Sequence, residues 1–383
     1  MTQSSVIYIK QKAVFNNIDF LKTKLGNGVR ISSVVKANAY GHGIEQIVPL
    51  FESAGIDHFS VFEYADAVRV IHSVKRPVSV MIMGWISAKD IEAAIHQGIE
   101  FFVFDLRRLK KALYYAQKLS LPAKIHLEVE TGMNRSGLNR NELDLVVDII
   151  NEHSNCFEVE GFCTHLAGAE SISNFIRIKK QMKHYHNMLS YVRNRGIEPK
   201  YRHVANSAAA FVFPKVRMDM VRIGIMQYGF WSSAETFIHY ISNKKKKQDP
   251  LERILDWKSH VMSVKHICTG EYIGYGISFL AQWDMKTALV PVGYFNGYSR
   301  SLSNKGKVLI RGQYCNVLGL VNMNMIVVDV SNIADVEPGD EVVIIGKQGD
   351  LEIKVSDFSD ISNKLNYEVL THLPANTPRK IIQ

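Results

Sequence analysis

The sequence predicts an α/β protein, an N-terminal (β/α)8 TIM-type barrel followed by a C-terminal, mostly antiparallel β domain. Short apolar, β-rich segments alternate with amphipathic stretches through the first part of the chain, which is the pattern of βαβ units and a parallel sheet. Eight such segments fit a closed barrel better than an open doubly wound sheet, because no G-x-G-x-x-G fingerprint follows the first. After about Asp249 the helical period gives way to alternating segments separated by turn signals.

The expected barrel strands are 30–35, 58–62, 77–83, 100–104, 124–129, 158–163, 201–205 and 221–226. Helical periodicity falls between them at 43–53, 65–73, 88–97, 107–119, 141–153 and 174–194. The β domain is expected from segments at 259–267, 287–292, 307–310, 314–320, 325–330 and 341–345. Ser303-Asn304-Lys305-Gly306 and Glu337-Pro338-Gly339-Asp340 are two of the intervening turns. The domain boundaries read as 1–241 for the barrel, 242–250 for a polar linker or surface insertion, and 251–383 for the β domain.

Composition narrows the class. The 383 residues are 46% hydrophobic and 22% charged, as in ordinary globular proteins. The sequence has no apolar run of membrane-spanning length and no secretory signal pattern. Cys156, Cys163, Cys268 and Cys315 have neither metal-ligand spacing nor a disulfide framework, so a cytoplasmic protein with reduced thiols is expected. The net charge of +9 is partly local, concentrated in the lysine run 244–247 and in Arg177, Lys179, Lys180 and Lys183. No nucleic-acid-binding motif accompanies it, so a solvated surface or attraction for small anions is the expected meaning.

Barrel enzymes place their chemistry at the C-terminal ends of the strands. Lys36 ends the first expected strand, Glu128 and Glu130 end the fifth, His165 follows the sixth, Asn206 and Ser207 follow the seventh, and Arg222 and Gly224 lie in the eighth. An amine at such an end is a candidate Schiff-base or proton-transfer group, against the alternative of a lysine snorkelling to solvent. Core packing alone does not call for these side chains on one rim.

Val35-Lys36-Ala37-Asn38-Ala39-Tyr40-Gly41-His42-Gly43 resembles the cofactor-lysine signature of the pyridoxal-phosphate alanine racemases. Glu130-Thr131-Gly132-Met133-Asn134-Arg135, Thr164-His165-Leu166-Ala167, Ala205-Asn206-Ser207-Ala208 and Val221-Arg222-Ile223-Gly224-Ile225 match the same family in order. Gly274-Tyr275-Gly276, Val292-Gly293-Tyr294 and Asn366-Tyr367-Glu368-Val369 extend the match through the β domain. The resemblance implies interconversion of L- and D-alanine on pyridoxal 5′-phosphate, with Lys36 holding the cofactor and serving as one base and Tyr275 as the other. It implies Tyr40, Ser207, Gly224 and Ile225 around the phosphate, and Arg222 at the pyridine nitrogen. His165, also placed at the cofactor, tunes Tyr275 together with Arg222; Arg135 and the Met323 backbone meet the substrate carboxylate, and Tyr294 narrows the entrance. It also implies a head-to-tail homodimer in which Tyr275 and Met323 come from the second subunit. Taken alone, Ser207 would read as a helix N-cap, Tyr275 as a packed turn residue, and Arg222 as an ion-pair partner of Asp219.

Three positions depart from the family. Glu128 stands where many members carry a carbamylated lysine, and its fixed charge is expected to orient Arg135 without carbon dioxide. Asn324 replaces an aspartate, with no consequence the sequence explains. Ala375 stands where a tyrosine bounds the side-chain pocket, so serine or other small amino acids become candidate substrates beside alanine. A barrel-type decarboxylase would instead place a carboxylate at the pyridine nitrogen and a cysteine in the β domain. A non-catalytic carrier would lack the β domain, and a catalytically dead regulatory homologue would retain both domains.

Overall fold

The computed structural model describes residues 3–242, 244–245 and 247–383. Asn243 and Lys246, within the expected linker and lysine run, lie outside the described residues. The chain divides into two units, one of residues 13–36 and 47–252, the other of residues 1–12, 37–46 and 253–383.

The N-terminus departs from a barrel that begins at residue 1. Strand β1 (Ser5–Lys10) pairs with no barrel strand and belongs to the second unit. Its neighbours are β10 (Leu255–His260), antiparallel, and β18 (Arg379–Ile382), parallel. Alternating burial, with Ile7 and Ile9 fully inside, explains the strand.

The first unit holds eight parallel strands: β2 (Arg30–Val34), β3 (His58–Val61), β4 (Ser79–Ile82), β5 (Glu100–Val103), β6 (Ala123–Glu128), β7 (Phe157–Cys163), β8 (Tyr201–His203) and β9 (Met220–Ile223). They pair in sequence order, and β9 returns to β2. Between β8 and β9 the ring is joined just beyond β8, where Asn206 bridges Arg222 and Arg222 N–H donates to Ala205 O at 2.9 Å. β3, β5 and β9 are buried along their whole length, as strands covered on both faces must be. Helices Tyr64–Ser73, Ala88–His96, Leu106–Leu119, Arg140–Glu152 and Phe175–Asn194 occupy the connections. Their starts carry side-chain caps where the sequence supplies them: Ser87 with Asp90 and Asn139 with Glu142 form reciprocal capping boxes.

The second unit continues through β11 (Ser263–Ile267), β12 (Met285–Val290), β13 (Lys307–Ile310), β14 (Gln313–Leu318), β15 (Ile326–Asp329), β16 (Glu341–Gln348) and β17 (Leu351–Ile353). The sheet path runs β11-β12-β15-β14-β13-β16-β10-β1-β18, with β17 attached to β16. The one segment expected over 259–267 is the end of one strand and the whole of another. Val261 N–H turns to Asp340 O (2.8 Å) while Met262 N–H turns to Leu289 O (2.7 Å), which sends the two halves to different partners. Trp257 and Tyr298 are the largest side chains fully buried in this unit. Among the described residues no helix is long and apolar enough to cross a membrane, and all four cysteines are free thiols.

Candidate active site

The C-terminal ends of the barrel strands gather Lys36 after β2, Glu128 at the end of β6, Arg135 in the loop beyond it, His165 after β7, Ser207 after β8, and Gly224 and Ile225 after β9. Arg222 projects from β9 itself. The strand end that delivers Lys36 is tied down by the segment following β9. Val34 O accepts from Gln227 Nε2 and from Tyr228 Oη, each at 2.9 Å, and Ser33 Oγ donates to Gln227 Oε1 at 2.8 Å. Lys36 remains accessible to solvent. The surrounding protein nevertheless desolvates its ammonium and, with the Arg135 charge, lowers its pKa below the ordinary lysine value.

Immediately after Lys36 the chain makes a left-handed turn. Ala37, Asn38, Ala39 and Tyr40 all have φ between 52° and 53°, a conformation costing non-glycine residues roughly 1–2 kcal/mol each. Main-chain bonds close it: Gly41 N–H to Ala37 O (3.0 Å), His42 N–H to Ala39 O (3.0 Å) and Gly43 N–H to Asn38 O (2.9 Å). Arg379 clamps the same turn, donating to Gly41 O from Nη2 (2.8 Å) and Nε (3.2 Å), while Nη1 donates to Pro374 O (2.6 Å) and Ala375 O (3.0 Å). Tyr40 is buried beside Tyr367, and burial pushes its phenol pKa well up.

Arg222 is buried, and four of its hydrogen bonds are made inside the barrel. Nη1 donates to His203 Nδ1 and to His203 O (2.8 Å), and Nη2 donates to Thr164 O (2.8 Å) and, at 3.5 Å, to Val204 O. Its Nε–H has no acceptor among the described residues. The anticipated alternative of an Arg222–Asp219 pair is overturned, because Asp219 is taken by Arg202 in a fork of 2.7 and 2.8 Å. His165 is only partly buried, yet desolvation and the Arg222, Arg135 and Lys36 charges push its pKa down to about 3. Its imidazole is therefore neutral at physiological pH.

Ser207 is not the N-cap of the short helix it opens. Asn206 is, accepting from Ala209 N–H at 2.9 Å. The Ser207 hydroxyl instead accepts from Gly224 N–H at 2.9 Å, leaving its own proton to donate. Glu128 is buried and accepts from Ser136 Oγ at 2.9 Å; no ion pair with Arg135 is formed among the described residues. Desolvation raises its pKa, opposed by the Ser136 bond and the Arg222 and Arg135 charges. Glu130 closes the loop, accepting from Met133 N–H (2.7 Å) and Asn134 N–H (2.8 Å) as well as Gly132 N–H.

In the second unit Tyr275 tips a hairpin between Gly274 and Gly276, both with positive φ, and is 72% exposed. Met323 and Tyr294 are 56% and 42% exposed. They are neighbours, since Tyr294 N–H donates to Asn322 O (3.0 Å) and Phe295 N–H to Met323 O (2.9 Å). That approach needs Gly293, where a Cβ would fall 2.2 Å from Asn322 O. Ala375 sits exposed in the C-terminal turn.

The sequence reading missed a set of buried polar residues in the barrel interior. His58, Glu100, His126 and His203 form a continuous hydrogen-bonded chain reaching Arg222. Ionisable residues inside runs expected to be buried on both faces were the available signal.

Comparison with known proteins places the chain in a family. Residues 9–231 match the profile of the alanine racemase N-terminal domain, and residues 254–381 match that of the C-terminal domain. The chain is 32% identical over its whole length to alanine racemase of Leptospira interrogans, covering 96% of that protein. It is 33% identical to alanine racemase of Clostridium perfringens over 96% of this chain and 92% of the relative. Among solved structures, alanine racemase of Streptomyces lavendulae superposes with a TM-score of 0.91 at 26% identity, covering 100% of this chain and 98% of that one. Alanine racemase of Bartonella henselae, solved with covalently bound pyridoxal phosphate, gives 0.84 at 25% identity with both chains fully covered. The chain belongs to the alanine racemase family and is an isomerase.

Proposed function

We propose that this enzyme interconverts L- and D-alanine by a two-base mechanism using pyridoxal 5′-phosphate, with Lys36 and Tyr275 as the bases. The observation that carries the reading is a barrel rim bearing a lysine of lowered pKa together with a buried arginine that keeps one N–H without a protein acceptor. Three cations, Lys36, Arg135 and Arg222, share this end of the barrel with two carboxylates, buried Glu128 and half-buried Glu130. That balance suits a phosphate and a substrate carboxylate.

The donor set fits the cofactor. When bound, pyridoxal phosphate supplies the sink for the electron pair left when the substrate Cα loses its proton. Lys36 holds it. Ser207 Oγ–H, its oxygen held by the Gly224 N–H, and the Ile225 main chain would meet its phosphate, and the family likeness adds Tyr40. The Arg222 Nε–H would address the pyridine nitrogen and, since a guanidinium gives up no proton at working pH, would leave that nitrogen unprotonated. This disfavours decarboxylation, for which a carboxylate would stand at the same place. Lys36 Nζ, with its lowered pKa, accepts or returns the Cα proton on one side, and Tyr275 Oη does so on the other. Neutral His165 can accept a hydrogen bond from the Tyr275 phenol without adding charge. Arg135 and the Met323 backbone hold the substrate carboxylate, with Glu128 as the fixed anion near Arg135, and Tyr294 lines the approach.

Tyr275, Met323 and Ile277, which is 81% exposed, are large apolar side chains left in solvent, which supports completion by a second copy, hence a head-to-tail homodimer. Ala375 in place of a ring favours acceptance of serine beside alanine. The test is incubation with L-alanine or L-serine in deuterated water with pyridoxal phosphate. D-isomer carrying deuterium at Cα is expected, faster from alanine. Release of carbon dioxide would replace this reading by a decarboxylase, and bound cofactor without exchange would replace it by a carrier.

A further inference from the structure

The hydrogen-bonded chain behind Arg222 runs through the barrel interior, twice skipping a strand, from β3 to β5 and from β6 to β8. His58 on β3 reaches Glu100 on β5, with Nε2 to Oε2 at 3.1 Å. The same Glu100 oxygen meets His126 Nε2 on β6 at 2.8 Å. His126 Nδ1 then meets His203 Nε2 on β8 at 2.9 Å, and His203 Nδ1 meets Arg222 Nη1 on β9. At the far end His58 Nδ1 meets Ser32 Oγ at 2.8 Å, and Ser32 Oγ meets Ser60 Oγ. All of these side chains are buried.

The room for the histidine pair is built into the backbone. A Cβ on Gly161 of β7 would fall 2.1 Å from His126 Nδ1 and 2.7 Å from His203 Nε2. The register of β6 against β7 shifts at this point, between Ile125 and His126.

Donor and acceptor roles follow from the two ends. A guanidinium only donates and a carboxylate only accepts. His203 Nδ1 must therefore be bare to receive Arg222, so His203 carries its proton on Nε2 and donates to His126 Nδ1. His126 in turn donates from Nε2 to Glu100. His58 donates to the same oxygen from its own Nε2, and its bare Nδ1 receives Ser32. Every proton in the chain points toward Glu100. Burial opposes its charge, but the bonds from His126 and His58 outweigh that and hold its pKa well below the carboxylate range.

We propose that Glu100 is a positioning residue for Arg222: its buried carboxylate, through His126 and His203, fixes His203 Nδ1 as the guanidinium acceptor and turns the Arg222 Nε–H toward the cofactor. This rests on the assignment of Arg222 to the pyridine nitrogen. Among the described residues no carboxylate contacts Arg222 directly; Glu128 is the carboxylate whose charge it feels, and Glu100, two imidazoles away, fixes the imidazole protons without occupying the site.

The first test needs no variant. In the cofactor-free protein, 15N spectra of the histidine side chains should show His58, His126 and His203 protonated on Nε2 and bare on Nδ1. A proton on Nδ1 of His126 or His203 would overturn the proposal. The second test compares Glu100→Gln with Ser32→Ala, an equally buried change on the other side of Glu100. Glu100→Gln should move the His203 Nδ1 signal, shift the absorption of bound pyridoxal phosphate in the direction given by Arg222→Gln, and lower kcat about tenfold with little change in KM. A spectrum and kcat matching Ser32→Ala would overturn it. If Arg222→Gln itself leaves the absorption unchanged, the cofactor assignment fails, while the imidazole signals still decide the relay. The ligand atoms of His58, Glu100 and His126 lie within 4.8 Å of one another. A stoichiometric divalent cation retained by the purified protein and lost in Glu100→Gln would give these side chains to a metal and overturn the relay.

Discussion

Gly41→Ala is expected to be among the most damaging small substitutions in the second unit. Gly41 has φ of +79°, and a Cβ there would lie 1.9 Å from Leu370 O and 2.8 Å from Leu370 C. Both are main-chain atoms, so no rotamer change relieves the overlap. The left-handed backbone contributes about 1–2 kcal/mol and the forced displacement about 1–3 kcal/mol, for a loss of roughly 2–5 kcal/mol. Gly312→Ala is the matched control, because Gly312 has φ of +71° and nothing within 4 Å of the added carbon. It carries the backbone cost alone. Denaturant unfolding of the two variants against the parent isolates the steric part, expected at about 1–3 kcal/mol. Equal stability of the two variants would refute the reasoning. The turn at Gly41 also follows Lys36, so Gly41→Ala should weaken pyridoxal-phosphate retention and Gly312→Ala should not.

Glu128→Gln keeps an acceptor for Ser136 Oγ but removes a charge near Arg135 and Arg222. KM for L-alanine should rise about tenfold with a smaller change in kcat, and unchanged kinetics would remove Glu128 from substrate binding. His165 has a folded-state pKa depressed from 6.5 to about 3. Its contribution to stability is therefore present above 6.5 and lost as pH falls toward 3. The stability difference between the parent and His165→Asn should shrink over that window, and the His165 ring signals should not titrate between pH 8 and 5. A midpoint near 6.5 would contradict the placement.

The barrel was legible because its strands are short runs buried on both faces and its helices carry a 3.6-residue period. Observed bounds such as His58–Val61 and Phe157–Cys163 lie within one or two residues of the sequence expectation. β1 was not legible, because its partners Leu255–His260 and Arg379–Ile382 lie hundreds of positions away and local periodicity carries no trace of pairing at that separation. The left-handed run Ala37–Tyr40 was not legible either, since of its four residues only Asn38 is of a type that readily takes that conformation and the closing clamp, Arg379, sits near the other end of the chain.

The positions of Lys36, Ser207 and Arg222 on the barrel were legible from the motifs around them. Their immediate partners were less so. Glu128 bonds Ser136, a partner the sequence did not point to, and Asn206 takes the cap that Ser207 alone would suggest. His58, Glu100, His126 and His203 were invisible as a group, since each is a single polar residue in a different strand and only the closed barrel brings them together.

The central claim is that Lys36 and Tyr275 each move a proton at Cα. It is tested most directly by following Cα–H exchange in deuterated water for L-alanine and D-alanine separately with Tyr275→Phe. One enantiomer should exchange its Cα hydrogen and be returned without inversion, while the other stays inert. Continued racemisation at the parent rate, with both enantiomers exchanging, would contradict the account.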